Sequence, residues 1–121
     1  AALKAVMLSG VKQENLDLHT LNQPLKTDSL TLIRGDVFRY LHSAPAQGFD
    51  FIFADPPYAL KELPEVPELV FKRDLLRDGG IFVMEHPKTN DFSELPYFYQ
   101  HRVYGSVNFS IFIKEEEKTD A

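Results

Sequence analysis

The chain has 121 residues, of which 44% are hydrophobic, so it is long enough to fold as one domain around a sizeable core. The absence of cysteine excludes a disulfide scaffold and a thiolate metal site, and it fits a cytosolic protein. The formal net charge of −5 argues against strong nucleic-acid binding by this chain alone, because phosphate contacts need clustered Lys and Arg. No apolar run approaches the roughly 20 residues of a membrane span, so we expect no membrane contact.

The first 24 residues fit two interpretations. Their apolar residues fall near a helical stripe, which favours one helix. Residues 3–8 also fit a strand, followed by a turn at Ser9 and Gly10 and a helix over 11–22. Because Gly10 weakens a continuous helix by about 1 kcal/mol relative to Ala, we favour the second interpretation.

A second strand is predicted over residues 29–33, where apolar side chains line both faces. Gly35 permits a sharp exit from this strand. Asp36 follows and can cap a helix over residues 37–42, whose apolar positions form a stripe.

The clearest element is a strand over residues 49–54. Five of these six residues are apolar or aromatic and show no helical period, which is typical of a strand buried on both faces of a parallel sheet. The strand ends at Asp55, because Pro56 and Pro57 have no N–H group for the ladder. In open α/β sheets ligands bind at the carboxyl ends of strands, so this loop is the first candidate site.

The residues of this loop suit the binding of a planar amine. The side chain of Asp55 and the carbonyl of Pro56 are both acceptors, and together they can hold the two N–H bonds of an exocyclic amine. This contact would turn the amine lone pair towards an electrophile, which is catalysis by positioning. Tyr58 offers a flat face on which a base can stack. The alternative is a proline turn after an ordinary buried strand.

The remaining elements continue the alternation of helix and strand. A helix is predicted over residues 68–76, ended by the Gly-rich stretch 77–80. Residues 81–84 form a second buried strand, which runs into a polar cluster containing His86 and Lys88. Lys88 is a candidate phosphate contact or a solvated lysine, and His86 is either structural or functional.

A hairpin should close the chain before a charged tail at 115–121. Its strands are predicted over residues 97–104 and 107–114, on either side of Gly105 and Ser106. The apolar side of the hairpin is predicted to consist of Phe98, His101, Val103, Phe109, Ile111 and Ile113.

The whole order predicts an α/β fold with a mostly parallel sheet and a C-terminal antiparallel hairpin. The run from Asp55 to Tyr58 resembles the D/N-P-P-Y/F/W signature of S-adenosylmethionine-dependent amino-group methyltransferases, and the hairpin resembles the last part of their Rossmann-like class I fold. Residues 34–38, 49–61 and 79–114 resemble the bacterial small-subunit (16S) ribosomal RNA guanine-N2 methyltransferase family. The third stretch is the narrowest signal, since several families share D-P-P-Y.

This resemblance implies a cytoplasmic N-methyltransferase that uses S-adenosylmethionine and acts in rRNA processing. Its substrate would be the exocyclic 2-amino group of a guanine in ribosomal RNA or the small ribosomal subunit. Asp55, Pro56, Pro57 and Tyr58 would form the catalytic loop, in which Asp55 and the Pro56 carbonyl orient the amine. Tyr58 would stack on a base that has been taken out of any helix.

The resemblance also implies which residues contact the cofactor and the substrate. Asp36, Val37 and Asp55 would lie against the cofactor, with Asp36 accepting from the adenine amine. The alternative for Asp36 is a helix cap and nothing more. Tyr58 would contact the substrate, and the polar cluster after residues 81–84 adds His86 and Lys88 as predicted substrate contacts. The chemistry needs no metal, and we expect none.

One departure from the family is large. These enzymes bind S-adenosylmethionine through a Gly-rich turn after their first strand, and this chain has no G-x-G, only an isolated Gly10. We therefore expect a single domain over residues 1–121 that is N-terminally truncated, without the first strand and the glycine loop. The sheet edge exposed by that loss would allow copies of the chain to pair.

Two alternatives stay open. The chain could be a truncated, non-catalytic domain, which the missing glycine loop favours. It could also belong to an amino methyltransferase that acts on DNA adenine or cytosine, or on protein glutamine, since those enzymes share the D-P-P-Y loop.

Overall fold

The structure is a computed structural model that describes residues 3–9, 29–35, 41–42, 44, 46–56 and 61–115. These residues form one six-stranded sheet and one helix of two turns. The elements are β1 (Leu3–Ser9), β2 (Ser29–Gly35), β3 (Phe49–Asp55), α1 (Glu65–Lys72), β4 (Leu76–His86), β5 (Phe98–Tyr104) and β6 (Val107–Ile113). The predicted helix over 11–22 and most of the one over 37–42 lie outside the described residues, although Leu41 and His42 are helical.

The sheet is mixed, with strand order β2-β1-β3-β4-β6-β5. Only β3 and β4 pair in parallel, and the other four described pairings are antiparallel. The prediction of a mostly parallel sheet is therefore wrong for the pairing. Four of the six strands, β2, β3, β4 and β5, do point in the same direction. β1 and β6 lie between them and run in the opposite direction.

The N-terminal segment is a strand, which confirms the second interpretation of the sequence for residues 3–9. β1 lies between β2 and β3, with Val6 opposite Leu32 on one side and Phe53 on the other. Because β1 is antiparallel to both neighbours, its carboxyl end at Ser9 lies beside Ser29, the amino end of β2. Its amino end lies at the edge of the sheet where β3 ends.

The main core lies on the face of the sheet that α1 covers. β3 and β4 alternate, so that Ile52, Phe82 and Met84 point to this face. α1 presents Val66 and Val70 to it, and Phe82 stacks on Phe112 of β6 with ring centroids 5.4 Å apart. The opposite face holds a smaller cluster built around three buried residues, Ile81, Val83 and Ile111. The predicted burial of the 81–84 strand on both faces is confirmed.

α1 ends four residues before the predicted boundary, so the prediction of a helix to residue 76 is wrong. Asp74 takes a left-handed conformation (φ 52°), and the N–H groups of Asp74 and Leu75 donate to the carbonyls of Phe71 and Val70. These two bonds form a Schellman motif, which satisfies the last carbonyls of a helix. Leu75 and Val70 are both buried and supply the apolar contact that accompanies this motif.

The Gly-rich stretch predicted to end the helix is instead a bulge inside β4. Phe49 pairs with Leu76 and Phe51 with Ile81, so the register shifts there and four residues of β4, 77–80, lie opposite one residue of β3. A Cβ on Gly80 would lie 2.8 Å from the carbonyl oxygen of Arg77, which explains the glycine. Lys114 closes this region, since its ammonium donates to the Leu76 carbonyl over 2.9 Å and pairs with Asp74.

The hairpin is confirmed, with β5 and β6 joined by Gly105 and Ser106. Gly105 has φ 59° at the first of the two turn positions, as a type II′ turn requires. The predicted apolar side is wrong in part. Phe98 packs on the main core and Ile111 is buried on the other face, whereas Val103 is 60% exposed. Phe112, which was not in the predicted set, is fully buried because β6 is an inner strand with packed side chains on both faces.

Candidate active site

The candidate site is the edge of the sheet where β3 and β4 end. The two strands are parallel and in register up to Ala54 and Met84, so Asp55 and His86 come at neighbouring strand ends. Gly35, the last residue of β2, lies at the same edge, because Gly35 pairs with Leu3 and Asp55 pairs with Lys4. The carboxyl ends of β2, β3 and β4, where the sequence predicts cofactor and substrate contacts, therefore lie at the same edge of the sheet.

Asp55 and Pro56 stand at the centre of this edge. Asp55 is the last residue of β3 and is half-buried, while Pro56 is buried. A half-buried carboxylate beside a carbonyl that belongs to no ladder can accept two hydrogen bonds from one planar donor. Pro57 and Tyr58, the rest of the predicted catalytic loop, lie outside the described residues, as do Asp36 and Val37 of the predicted cofactor contacts.

His86 is fully buried, and both of its ring nitrogens have hydrogen-bond partners. Nδ1 lies 2.8 Å from the carbonyl oxygen of Pro87, and Nε2 lies 2.7 Å from the hydroxyl oxygen of Ser110. A carbonyl can only accept, so Nδ1 carries the proton. Nε2 of the neutral ring then accepts from Ser110. This fixes the tautomer and the ring plane of His86.

Aromatic rings surround His86 and keep water away. Phe92 meets it edge-on with centroids 4.9 Å apart, and the ring of His101 lies 5.2 Å away. Burial lowers the pKa of His86, and the neighbouring His101 lowers it further, against the opposing hydrogen bond to Pro87. His86 is thus held neutral and is not open to solvent in the described structure. Its predicted substrate contact stays a prediction.

Lys88 lies two residues beyond β4, in an exposed turn at the same edge. Its position suits the predicted phosphate contact, which stays a prediction. Of the predicted site residues, the described structure therefore brings together Asp55, Pro56, His86 and Lys88. No group of three or more His, Asp or Glu among the described residues could hold a metal ion, and no described helix is long and apolar enough to cross a membrane.

Sequence reasoning missed two polar residues of β6 that belong to this edge. Asn108 pairs with His86 in the ladder and accepts from Nε2 of His101 over 2.9 Å, while Ser110 holds His86. Both are buried. The available signal was the placement of Asn108 and Ser110 at alternate positions of an otherwise apolar strand, which puts both on one face.

Comparison with protein families gives one match that covers most of the chain. The model of a family described as "Conserved hypothetical protein 95" matches residues 5–113. The chain is 34% identical over 83 residues to "Putative rRNA methyltransferase YlbH" of Bacillus subtilis, covering 64% of this chain and 45% of YlbH. It is 43% identical over 44 residues to "Uncharacterized methylase RP545" of Rickettsia prowazekii, covering 36% of this chain and 19% of that protein.

A third curated protein matches over a short segment. It is "Uncharacterized protein YahF" of Escherichia coli, 93% identical over 28 residues, which are 23% of this chain and 5% of YahF. The chain thus spans less than half the length of each of these curated relatives.

Solved structures share the fold. A Thermus thermophilus structure titled as hypothetical protein TTHA0928 is 33% identical with a TM-score of 0.52, and the match covers 63% of this chain and 43% of that one. The structure titled "Putative methyltransferase yhhF from Escherichia coli" has a TM-score of 0.55 at 18% identity, covering 70% and 48%. Together with the mixed sheet, these neighbours fit a class I methyltransferase-like fold.

Proposed function

This chain belongs to the family described as "Conserved hypothetical protein 95", and from that membership we propose that it is the part of an rRNA methyltransferase that holds the target amine. Relatives named methylase and rRNA methyltransferase support methyltransferase activity. The finer proposal is methylation of the exocyclic 2-amino group of a guanine in small-subunit ribosomal RNA, in the cytoplasm. The observation that carries it is the pair of acceptors, Asp55 and the Pro56 carbonyl, at the carboxyl end of β3.

In the proposed methyl transfer, the residues at this edge position the amine and do not remove a proton from it first. The Asp55 carboxylate and the Pro56 carbonyl accept the two N–H bonds, which turns the nitrogen lone pair away from the protein and towards the methyl donor. The amine loses its proton after the methyl group has arrived. Tyr58 would stack on the base, which must leave any helix to reach this edge.

S-adenosylmethionine, when bound, would supply the electrophilic methyl group. The described edge offers half of such a site, since β2 and β3, which precede the predicted adenine contacts and the amine loop, both end there, at Gly35 and Asp55. It does not fit the other half. Because β1 is antiparallel to β3, its carboxyl end at Ser9 lies at the opposite edge of the sheet from Asp55, so β1 does not lead into a cofactor loop beside Asp55.

The reversal of β1 favours a second candidate function for this chain on its own. A domain without a glycine loop at the site edge can fold and contact a partner without binding cofactor. The two candidates separate on one measurement, because only the methyltransferase needs S-adenosylmethionine. A DNA or glutamine amino methyltransferase would share the loop and differ only in substrate.

The test is calorimetric titration of S-adenosylmethionine into the purified chain, followed by transfer of a labelled methyl group to small-subunit RNA. We expect Asp55→Ala to lower turnover by roughly 100-fold or more, because a misplaced reacting group costs about that much, while cofactor affinity changes little. Glu68→Ala is the matched control, since Glu68 is an exposed acid on α1.

The outcomes discriminate between the candidates. Micromolar cofactor binding with methyl transfer supports the enzyme. A chain that is folded by circular dichroism and binds no cofactor supports the non-catalytic domain. Near-normal turnover of Asp55→Ala would remove the role assigned to Asp55.

A further inference from the structure

The tip of the β5–β6 hairpin lies at the candidate site edge. β4 and β5 are both antiparallel to β6, so they run in the same direction. Tyr104, the last residue of β5, is therefore on the side of the sheet where His86 ends β4. The pairs His86–Asn108 and Asn108–Val103 form one row across the three strands. Neighbouring strands are about 4.8 Å apart, which puts the end of β5 roughly 10 Å from that of β4.

Large side chains at this tip are exposed. Tyr104 and Val103 each have 60% of their surface open to solvent. The Tyr104 ring meets Phe109 edge-on, with centroids 5.9 Å apart and an interplanar angle of 67°. That contact orients the Tyr104 ring against Phe109 of the inner strand β6 and leaves much of the Tyr104 ring uncovered. An oriented, exposed aromatic ring is the element that proteins use to stack an unpaired base.

The hairpin differs in charge from the rest of the chain. Residues 96–113 contain Arg102 and no Asp, Glu or Lys, in a protein whose net charge is −5, whereas Lys114, beyond the far end of β6, is paired with Asp74 and Asp78. Arg102 is two residues before Tyr104 and so lies on the same face of β5. Its Nε donates to the neutral amide oxygen of Gln100 over 3.1 Å, a contact that leaves the positive charge in place.

The acidic groups near the hairpin are not on the outer strand. Glu85 shares the row of Phe109 and Arg102 but belongs to β4, two strands further in. Asp91 lies towards His101, which is on the opposite face of β5 from Arg102. The face of β5 that carries Arg102 and Tyr104 therefore combines a guanidinium with an exposed aromatic ring. The ring can stack on a base, and the guanidinium can contact the phosphate next to that base.

We propose that Arg102 and Tyr104 form a contact for unpaired RNA, with the ring stacking on a base and the guanidinium pairing with a phosphate next to the target nucleotide. This inference rests on the proposed function, whose substrate is RNA, and it adds a binding surface on the hairpin outside the D-P-P-Y loop. The phosphate contact would depend on the single cation at this tip, the guanidinium of Arg102.

The experiment measures binding of a fluorescent unpaired RNA oligonucleotide to the purified chain by anisotropy, without S-adenosylmethionine. We expect Tyr104→Ala to weaken binding by roughly 5- to 100-fold, the range for one lost base–aromatic stack. Arg102→Gln should weaken binding and reduce the slope of log affinity against log salt by about one phosphate contact. Tyr99→Ala is the matched control, because Tyr99 is an exposed tyrosine near the other end of β5 and should bind like the unmodified chain.

Several results would overturn the inference. The unmodified chain could fail to bind RNA at micromolar concentrations, or Tyr104→Ala could bind as tightly as Tyr99→Ala. Sedimentation could also show a dimer that Tyr104→Ala dissolves with RNA affinity unchanged, which would make the tip an interface between copies. Failure of methyl transfer with the expected RNA pattern intact would instead count against the proposed function and leave this surface standing.

Discussion

His86 shows how one side chain at the candidate site is fixed from several directions. Its ring is held by the Pro87 carbonyl and the Ser110 hydroxyl and is packed against Phe92 and His101. A histidine with both nitrogens engaged and no exposed surface acts by holding neighbouring strands. We therefore expect it to position the end of β4 beside Asp55.

The buried His86 should make the stability of the chain depend on pH. Its pKa is lowered from the ordinary value of 6.5 by burial. Below about pH 6.5 His86 binds a proton in the unfolded chain but stays neutral in the folded chain. The free energy of unfolding therefore falls as the pH falls. One such proton contributes at most about 1.4 kcal/mol per pH unit. Urea unfolding between pH 7.5 and 5.5 measures this slope.

His86→Gln should flatten the pH dependence, whatever it does to stability at pH 7.5. His42→Gln is the matched control, since it makes the same substitution at an exposed histidine. Equal slopes for His86→Gln and the unmodified chain would show that His86 is not the titrating group.

The site could be predicted from sequence only where its chemistry is local. Asp55 and Pro56 lie at the end of a buried strand, and the two prolines after Asp55 end that strand. Both features can be recognised within ten residues of sequence. The burial of His86 was not predictable, because its partner Ser110 comes from a strand 24 residues away. Spacing along the chain says nothing about such a contact until the order of strands is known.

At the scale of the element, the turn between α1 and β4 departs most from the sequence prediction. Glycines usually end helices, so Gly79 and Gly80 were assigned that role. Asp74 takes it instead, since its carboxylate is held by Gln47 (3.0 Å) and by Lys114. These contacts lower the pKa of Asp74, the hydrogen bond to Lys114 most and that to Gln47 next. Partners from two distant segments thus outweigh the local preference for glycine.

Alanine should destabilise the chain at both Gly80 and Gly105, for different physical reasons. At Gly80 an added Cβ meets the backbone oxygens of Arg77 at 2.8 Å and Asp50 at 3.1 Å, so the bulge must shift. We expect Gly80→Ala to lower the free energy of unfolding by about 1–3 kcal/mol. At Gly105 the cost is only that of a left-handed residue in open space, about 1–2 kcal/mol.

Thermal and urea unfolding of the two variants measures both losses. Gly105→Asn is a useful third variant, because asparagine tolerates positive φ and should recover part of the loss. A Gly80→Ala protein as stable as the unmodified chain would mean that the bulge adjusts freely. In that case the close approach of Asp50 and Arg77 would not constrain β4.

At the scale of the whole molecule, the direction of β1 makes its pairings with β2 and β3 antiparallel. The existence of the strands at 29–35 and 49–55 was predictable from local pattern, and so was the hairpin, whereas the pattern of residues 3–9 also fitted a helix. The direction of β1 was not, since direction is set by pairing with β2 and β3 and leaves no mark on the hydrophobic period. The same pattern fits a parallel and an antiparallel neighbour.

β1 should be required for cooperative folding of the sheet. Every N–H of an inner strand points to one neighbour or the other, so Val6→Pro removes a ladder bond and inserts a ring between β2 and β3. We expect a loss of at least about 1–3 kcal/mol in the free energy of unfolding. Val6→Ala keeps the N–H and is the matched control. Equal stability of the two variants would show that β1 is not an integral part of the sheet.

The two-residue turn at Gly105 and Ser106 has a consequence for the speed of folding. β5 and β6 contact each other across a few residues of chain, and such hairpins close in about 1–10 μs. The pairing of β4 with β6 and of β1 with β3 needs loops of tens of residues to close first, which is slower. We therefore expect the hairpin that ends at the candidate site to close before the parallel strands that carry Asp55 and His86 are paired.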